Sequence, residues 1–306
     1  MILLLKRENM EIKQKYLKEF LIQTEFPLDA QKELCALFDR FILKKEPTIR
    51  FFESIERYKT DELCYKEEAS KILELAEETE EKPYALILLF VIFLTKELKA
   101  KYDERGYEES VFLANVMDVR YKAVECKEVE GYWGIFCVFW FHKMFALTRF
   151  AFEKLQFQIA KFENEYHKNG LNVGKDDLIL DVHIPRTGGK LTRESKDASY
   201  RQAAEFFKKH FNLPPIFVCW SWLLFPKNKE VLSPSSNLYA FISDFDIFQV
   251  TEYSDYEEVW RLFDKKYNGN PDELPQDTSL RRAYVEWIKQ GIKTGWGGGI
   301  FELQNE

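Results

Sequence analysis

The chain has 306 residues, 46% of them hydrophobic and 31% charged, which is enough apolar material for buried cores and enough length for about two domains of the usual ~100–200 residues. Its 44 basic and 51 acidic side chains leave a net charge of −7, which argues against a nucleic-acid protein, because such proteins concentrate positive charge on one face. The cysteines (Cys35, Cys64, Cys126, Cys137, Cys219) are odd in number, far apart and without C-x-x-C spacing, so free thiols in a cytoplasmic protein are expected rather than a zinc knuckle or a disulfide framework.

"MILLLKRENM" is too short and too quickly charged for a signal segment. Residues 1–130 hold one glycine, Gly106, and no tryptophan, and they read as helices. Ile12, Tyr16, Leu17, Phe20 and Leu21 recur at helical spacing, as do Leu34, Leu37, Phe38, Phe41 and Ile42 after Asp29, a candidate N-cap. "SKILELAEETEEKP" and "LILLFVIFLTKELKAKYDERG" continue the pattern, stopped by Pro83 and Gly106, and "EESVFLANVMDVRYKAV" adds another helix. The run "YALILLFVIFL" falls short of the ~20 apolar residues a spanning helix needs, so it is read as a core helix and no membrane segment is expected.

From about residue 130 the texture changes, with the remaining twelve glycines and all seven tryptophans. "GIFCVFWFHKMFAL" reads as a buried helix, and "RFAFEKLQFQIAKFE" as a strand bulged near Lys154. The loop "HKNGLNVGKDD" returns the chain as the strand "LILDVHIP". A glycine turn, "RTGGK", leads into a helix over Thr192 to Phe211, followed by "PPIFVCWSWLLF", a strand without alternation. "SPSSNLYAFISDF" is a short helix capped by Ser235 or Ser236; "DIFQVTEY" and "YEEVWRLFD" read as two closing strands.

That order of elements is the order of the GNAT fold. "HIPRTGGKLTRESKDASYRQAAEFFKKHF", "FVCWSWLL", "LSPSSNLYAF", "LPQDTSLRRAYVEWIKQG" and "GWGGGIF" resemble segments of a bacterial group of acyltransferase-domain proteins that join a helical N-terminal domain to a GNAT-like C-terminal domain. The resemblance implies an α+β chain: an all-helical N-terminal domain over residues 1–125, then a GNAT-like mixed β-sheet flanked by helices over 126–306. It also implies acyl-CoA as co-substrate, so the partners would be a small-molecule acyl donor and an acceptor.

In acetyl-transferring GNAT enzymes the turn after the fourth strand reads Arg/Gln-x-x-Gly-x-Gly/Ala, and its N–H groups hold the pyrophosphate of coenzyme A at a helix N-terminus. Arg186 and Gly189 match that spacing, with Gly188 and Lys190 between and beside them, while Leu191 replaces the final small residue. A phosphate cradle and a plain tight turn both fit.

The remaining candidates each have two readings. His183, at the C-terminal end of its strand, is a general base or a histidine that fixes the Pro185 turn. Cys219 is a nucleophile or a small core hydrophobe, and Ser221, on the same strand face, is a ligand donor. Trp220 and Trp222 are a substrate platform or core. Tyr239, a candidate acid for the leaving thiolate, stands six residues before Phe245 where the family places its tyrosine five before a phenylalanine; Asn237 contacts substrate or braces its helix. Arg149 forms a salt bridge with Glu153 or lines a substrate cleft. The glycines of "GWGGGIF" supply backbone donors or a bend. Two functions follow: an acyl-CoA-dependent N- or O-acyltransferase, favoured by Arg186, Gly189 and Lys190, or a non-catalytic module of the same shape for a small metabolite or peptide, favoured by Leu191 and the displaced tyrosine. No metal centre is expected, since His142, His167, His183 and His210 show no ligand spacing.

Overall fold

The computed structural model describes residues 2–58, 62–187 and 189–304. Two compact units divide it, Met1–Thr148 and Arg149–Glu306.

The first unit is helical: α1 (Ile2–Gln23), α2 (Leu28–Phe41), α3 (Lys45–Arg57), α4 (Glu62–Glu78), α5 (Pro83–Glu104), α6 (Glu109–Glu130) and the short α7 (His142–Phe145). Helical spacing gives the buried stripes of α1 (Leu17, Phe20, Leu21) and α2 (Leu34, Leu37, Phe38, Phe41). Asp29 lies in the first turn of α2, whose N-cap is Pro27, and its carboxylate accepts from Trp133 Nε1 at 3.2 Å. In α5 every residue from Leu86 to Leu94 is buried, so this half of the helix runs through the core of the unit, while Lys96 and Glu97 farther along are exposed. No helix among the described residues is long and apolar enough to cross a membrane.

Residues 131–148 correct two expectations. The stretch is a chain of turns ending in α7, not a buried helix, and it belongs to the first unit, so the break falls after Thr148 rather than after residue 125. The chain here lies flat against helices. Ile135 N–H donates to Tyr84 O at 2.9 Å, Tyr65 OH to Val138 O at 2.9 Å, and Trp140 Nε1 to Asp118 at 2.7 Å. A Cβ on Gly134 would lie 2.7 Å from the Tyr84 backbone. The glycine and tryptophan signal near residue 130 therefore marks close packing, not a new domain.

The second unit is built on β1 (Arg149–Phe152), β2 (Leu155–Lys161), β3 (Tyr166–Lys168), β4 (Leu171–Val173), β5 (Leu178–His183), α8 (Arg193–Phe211), β6 (Ile216–Ser221), α9 (Pro226–Val231), α10 (Asn237–Ser243), β7 (Asp246–Glu252), α11 (Trp260–Phe263), α12 (Ser279–Lys289) and β8 (Gly295–Glu302). Six strands form one sheet in the order β1-β2-β5-β6-β8-β7, antiparallel throughout except for β5 and β6. The segment read as one bulged strand is the hairpin β1–β2, which turns at Glu153 (φ 50°) and Lys154. The loop after it carries its own hairpin, β3–β4, closed by Asn169 and Gly170 at φ 54° and 83°, the left-handed pair a two-residue turn requires. "YEEVWRLFD" is helical, not a strand: Val259 and Phe263 are spaced by four and pack with Tyr284 and Val285 of α12, a helical period that alternating aromatics concealed.

Strand alternation divides the sheet's residues between two faces. Phe150, Phe152, Phe157, Leu180, Phe217 and Cys219 share the face covered by α8, where Tyr200 meets Phe157 and Phe217, and Phe206 meets Phe150 and Phe152. Arg149, Gln156, Asp181, His183, Val218 and Trp220 share the other.

Candidate functional site

The two parallel strands part. β5 and β6 are in register only at Leu180↔Phe217 and Asp181↔Val218. Each nevertheless continues and keeps its outer neighbour, β5 with β2 as far as Gln156↔His183 and β6 with β8 as far as Ser221↔Gly297. Toward their C-terminal ends Val182 and His183 on one side, and Cys219, Trp220 and Ser221 on the other, therefore border a gap instead of a ladder. Open α/β sheets bind ligands at such an end, outside the carboxyl ends of parallel strands.

A charged group sits at the gap. Asp181 and His183 are two residues apart on one strand face, and Asp181 Oδ2 stands 3.5 Å from His183 Nε2. That separation is an ion-pair contact, long for a hydrogen bond. Burial pushes the Asp181 carboxyl up to about 7, against the pull of the Arg149 charge in the other direction. The second oxygen, Oδ1, is buried with no hydrogen-bond partner among the described residues, and so is Gln156 Oε1, whose residue lies opposite His183 on β2. Arg149 is fully buried on the same face. The expected Arg149–Glu153 bridge is not what this geometry provides: four residues make one helical turn but span ~13 Å of strand, and Glu153 instead accepts from Gln202 of α8 at 3.2 Å.

The expected site residues of β5 and β6 divide between the two faces of the sheet. His183 and Trp220 share the face of Asp181, and Trp220 packs on Phe248 and Trp296. A Cβ on Gly298 would lie 2.3 Å from the Trp220 ring, so this glycine of β8 makes room for the indole. Cys219 and Ser221 belong to the opposite face. Burial pushes the Cys219 thiol well above its ordinary range, which disfavours the thiolate a nucleophile needs, and the Ser221 hydroxyl accepts from Leu223 N–H at 3.2 Å, capping the 3-10 turn Trp222–Leu224. Trp222 packs against Tyr284 in the apolar cluster with α12.

Asn237 and Tyr239 lie on α10, capped by Ser236, whose hydroxyl accepts from Tyr239 N–H at 3.1 Å. Lys229 Nζ stands 4.9 Å from the Tyr239 ring centre. Buried Lys196 of α8 reaches Asp244 at the end of α10, 2.6 Å away, and so ties α10 to the start of α8.

The glycine turn lies between the end of β5 and α8. Thr192 caps α8, its hydroxyl accepting from Ser195 N–H at 3.2 Å. Arg186 donates to Asp264 Oδ1 at 2.5 Å, and Arg281 to Asp264 Oδ2 at 2.6 Å, so a single carboxylate after α11 holds the arginine of the turn. Lys190 is exposed, and Gly188 lies outside the described residues. Sequence reading missed Lys154. Its Nζ stands 2.8 Å from where a Cβ on Gly189 would be, and its N–H donates to Ser199 Oγ of α8 at 3.2 Å, so the β1–β2 turn delivers an ammonium group to the glycine turn. Asp181 was missed too, although D-V-H on a strand puts the carboxylate beside the imidazole. No cluster of His, Cys, Asp or Glu suited to a metal ion occurs among the described residues.

Comparison with known proteins adds the family. Residues 15–147 match the profile of an N-acyltransferase N-terminal domain, and residues 150–301 that of a GNAT-like C-terminal domain. Among solved structures, an acyltransferase mutant in complex with octanoyl-CoA superposes with a TM-score of 0.71 at 20% identity, covering 95% of this chain and 88% of that one. An acyltransferase in complex with decanoyl-CoA and teicoplanin gives 0.68 at 21% identity, with 94% and 87% covered. These similarities show a shared fold over both units. A search of curated protein sequences finds no match.

Proposed function

Because the chain belongs to the family that joins an N-acyltransferase N-terminal domain to a GNAT-like C-terminal domain, we propose that it is an acyl-CoA-dependent N- or O-acyltransferase. The gap between β5 and β6 carries this reading. Strands that separate while their outer partners hold them leave backbone N–H and C=O groups free to pair with the amides of a pantetheine arm. A thioester lying there would have its carbonyl oxygen polarised by strand N–H groups. An acceptor amine or hydroxyl attacks the carbonyl carbon, the C–S bond breaks, and the acceptor's proton passes to His183. The departing thiolate takes up a proton in turn, with Tyr239 of α10 as its proposed donor.

The phosphates go to the turn before α8, where Lys154 and Lys190 supply charge and the capped helix supplies N–H groups and its dipole. The donors of the similar structures, octanoyl- and decanoyl-CoA, are the first chain lengths to try, and teicoplanin is one acceptor among simple amines and alcohols.

Thermal melts and calorimetry with coenzyme A and its acetyl, octanoyl and decanoyl thioesters test the reading. A donor at a hundred times its Kd stabilises by ~2.7 kcal/mol, and thiol release on adding an acceptor then reports transfer. Folded protein that gives neither heat nor a melt shift at millimolar thioester overturns it. A second reading, a binding module without transfer, is favoured by the Arg186–Asp264 bond, which commits the turn's arginine to a carboxylate. Tight donor binding with no thiol release under any acceptor selects that reading.

A further inference from the structure

We infer that the pocket lined by Trp222, Tyr253, Glu258, Tyr284 and Thr294 holds a primary ammonium head of the acceptor, an amino group that anchors the acceptor and does not itself react. The inference rests on the transferase reading and adds the class of acceptor: one that carries an alkylammonium besides its nucleophilic amine or hydroxyl, as diamines and amino alcohols do.

The pocket is built where three strands end side by side. β6 ends at Ser221, so Trp222 is the first residue beyond it, and β7 ends at Glu252, opposite Gly295 at the start of β8. Tyr253 N–H donates to Thr294 O at 2.8 Å, which carries that pairing one step past the strands. To these, α12 adds Tyr284, and the 3-10 turn Glu257–Val259 adds Glu258. The apolar cluster of Val259, Phe263 and Val285 holds those elements together. The parting of β5 and β6 opens toward the same end of β6. A group held in the pocket and a thioester in the gap therefore lie at one end of the sheet.

The lining selects a small cation with N–H groups. The interior admits about one group the size of a water molecule, which suits an –NH3+ head and shuts out a trimethylammonium. The Trp222 and Tyr284 rings stand 6.3 Å apart at 87°, and Tyr253 adds a third aromatic side chain; aromatic faces attract cations. Glu258 supplies negative charge. Arg261 Nε donates to its Oε2 at 2.6 Å, yet that guanidinium lies 4.7 Å over the Trp260 ring and is not part of the lining. Burial pushes the Tyr253 hydroxyl up, and there the Glu258 charge pushes it further, outweighing the opposite pull of Arg261. Thr294 is 1% exposed, and its hydroxyl oxygen has no hydrogen-bond partner among the described residues, a condition native proteins rarely leave unmet. An anion would meet Glu258, and a methyl group would leave the Thr294 hydroxyl unpaired. An ammonium donates to Thr294 and Glu258 and is attracted by the rings. Being protonated, it has no lone pair with which to attack a thioester, so the reacting group is a second one on the same acceptor.

Titration of the full chain without thioester tests the pocket. The indole N–H signals are followed by NMR, and the spectrum of Trp222→Phe identifies which of the seven belongs to Trp222. Butylammonium is expected to shift that signal saturably at millimolar concentration, whereas butanol, butyrate and butyltrimethylammonium leave it in place. Glu258→Gln weakens butylammonium by about tenfold or more, the loss of a hydrogen bond to a charged group, and Thr294→Val, which keeps the shape, weakens it as well. No saturable shift with butylammonium, the behaviour of a pocket that holds only water, overturns the inference; so does an equal response to butanol, the behaviour of an apolar pocket. The wild-type titration decides even if a variant does not fold. The acceptor role is read from thiol release with straight-chain diamines, each against the monoamine of its length. A diamine preferred over its monoamine, by a margin that Glu258→Gln reduces about tenfold, supports it, and no preference at any length overturns it. Protein that binds acyl-CoA but not butylammonium loses this inference alone; protein that binds butylammonium but no acyl-CoA loses the transferase reading and with it the acceptor role.

Discussion

The two faces of the second unit's sheet are made by alternate residues of the same strands, and they are furnished in opposite ways. Under α8 the face is aromatic and dry, with Phe150, Phe157, Leu180 and Phe217 all fully buried. Across the sheet, one residue along, stand Arg149, Gln156, Asp181 and His183, where a carboxylate oxygen of Asp181 and the amide oxygen of Gln156 find no hydrogen-bond partner among the described residues. Burial of apolar area near ~25 cal/mol per Å² makes the first face the source of stability. The second spends part of that stability on desolvated charge. A strand pair can thus anchor a site with one set of side chains and equip it with the other.

Four measurements test this contrast. Phe217→Ala should cost most, about 3–5 kcal/mol in the unfolding of the second unit by urea, because a buried ring between Tyr200 and Phe301 leaves a cavity. A smaller loss, with the rings closing over the space, would show the aromatic face to be less rigid than its packing implies. Asp181→Asn comes next and acts through pH. The folded carboxyl titrates at about 7 against 3.8 for the free group, so the native state keeps a proton that the unfolded chain releases. Its stabilising effect is complete below about pH 4 and is lost as pH rises through about 7. Relative to wild type, the variant should therefore gain on the order of 4 kcal/mol between about pH 4 and pH 8, since each tenfold change in acid strength is worth about 1.4 kcal/mol. Parallel stability curves would show that Asp181 is not desolvated.

Gly298→Ala tests where the faces meet the neighbouring strand. Its Cβ would lie 2.3 Å from the Trp220 ring, and overpacking of that kind costs about 1–3 kcal/mol, read by the same melt with a change in tryptophan fluorescence. Ser221→Ala should have the smallest effect, ~1 kcal/mol from a lost cap, with donor binding unchanged. A large loss of binding instead would return Ser221 to the ligand side of the gap.

The parts of this fold that could be read from the sequence are those written in local pattern. Helical spacing gave α1, α2 and α8, the Asn169-Gly170 pair gave a turn, and the strand–turn–helix order gave the GNAT-like sheet. Local pattern failed where a tertiary contact decides the conformation. "YEEVWRLFD" has aromatic residues that suit a strand, yet Val259 and Phe263 are turned inward by α12. Residues 131–141 are apolar enough for a helix, but Gly134 must sit against Tyr84. In the site, His183 was visible because it ends a strand, and Asp181 was overlooked although alternation alone puts it on the same face. Lys154 could not be found this way. It comes from a different turn, and only the folded hairpin brings its ammonium group to Gly189.

The sheet's strand order also bears on synthesis. β8 follows every other strand in the chain yet lies inside the sheet, between β6 and β7. Until residues 295–302 leave the ribosome, β6 lacks its antiparallel neighbour and β7 has no strand to pair with at all. The helical unit can fold as it emerges, from contacts close in sequence, whereas the sheet must wait for its last strand to insert. During that interval the edges of β6 and β7 are open to other chains, and a truncation that removed β8 would expose β6 and leave β7 without its partner rather than trim the sheet's end.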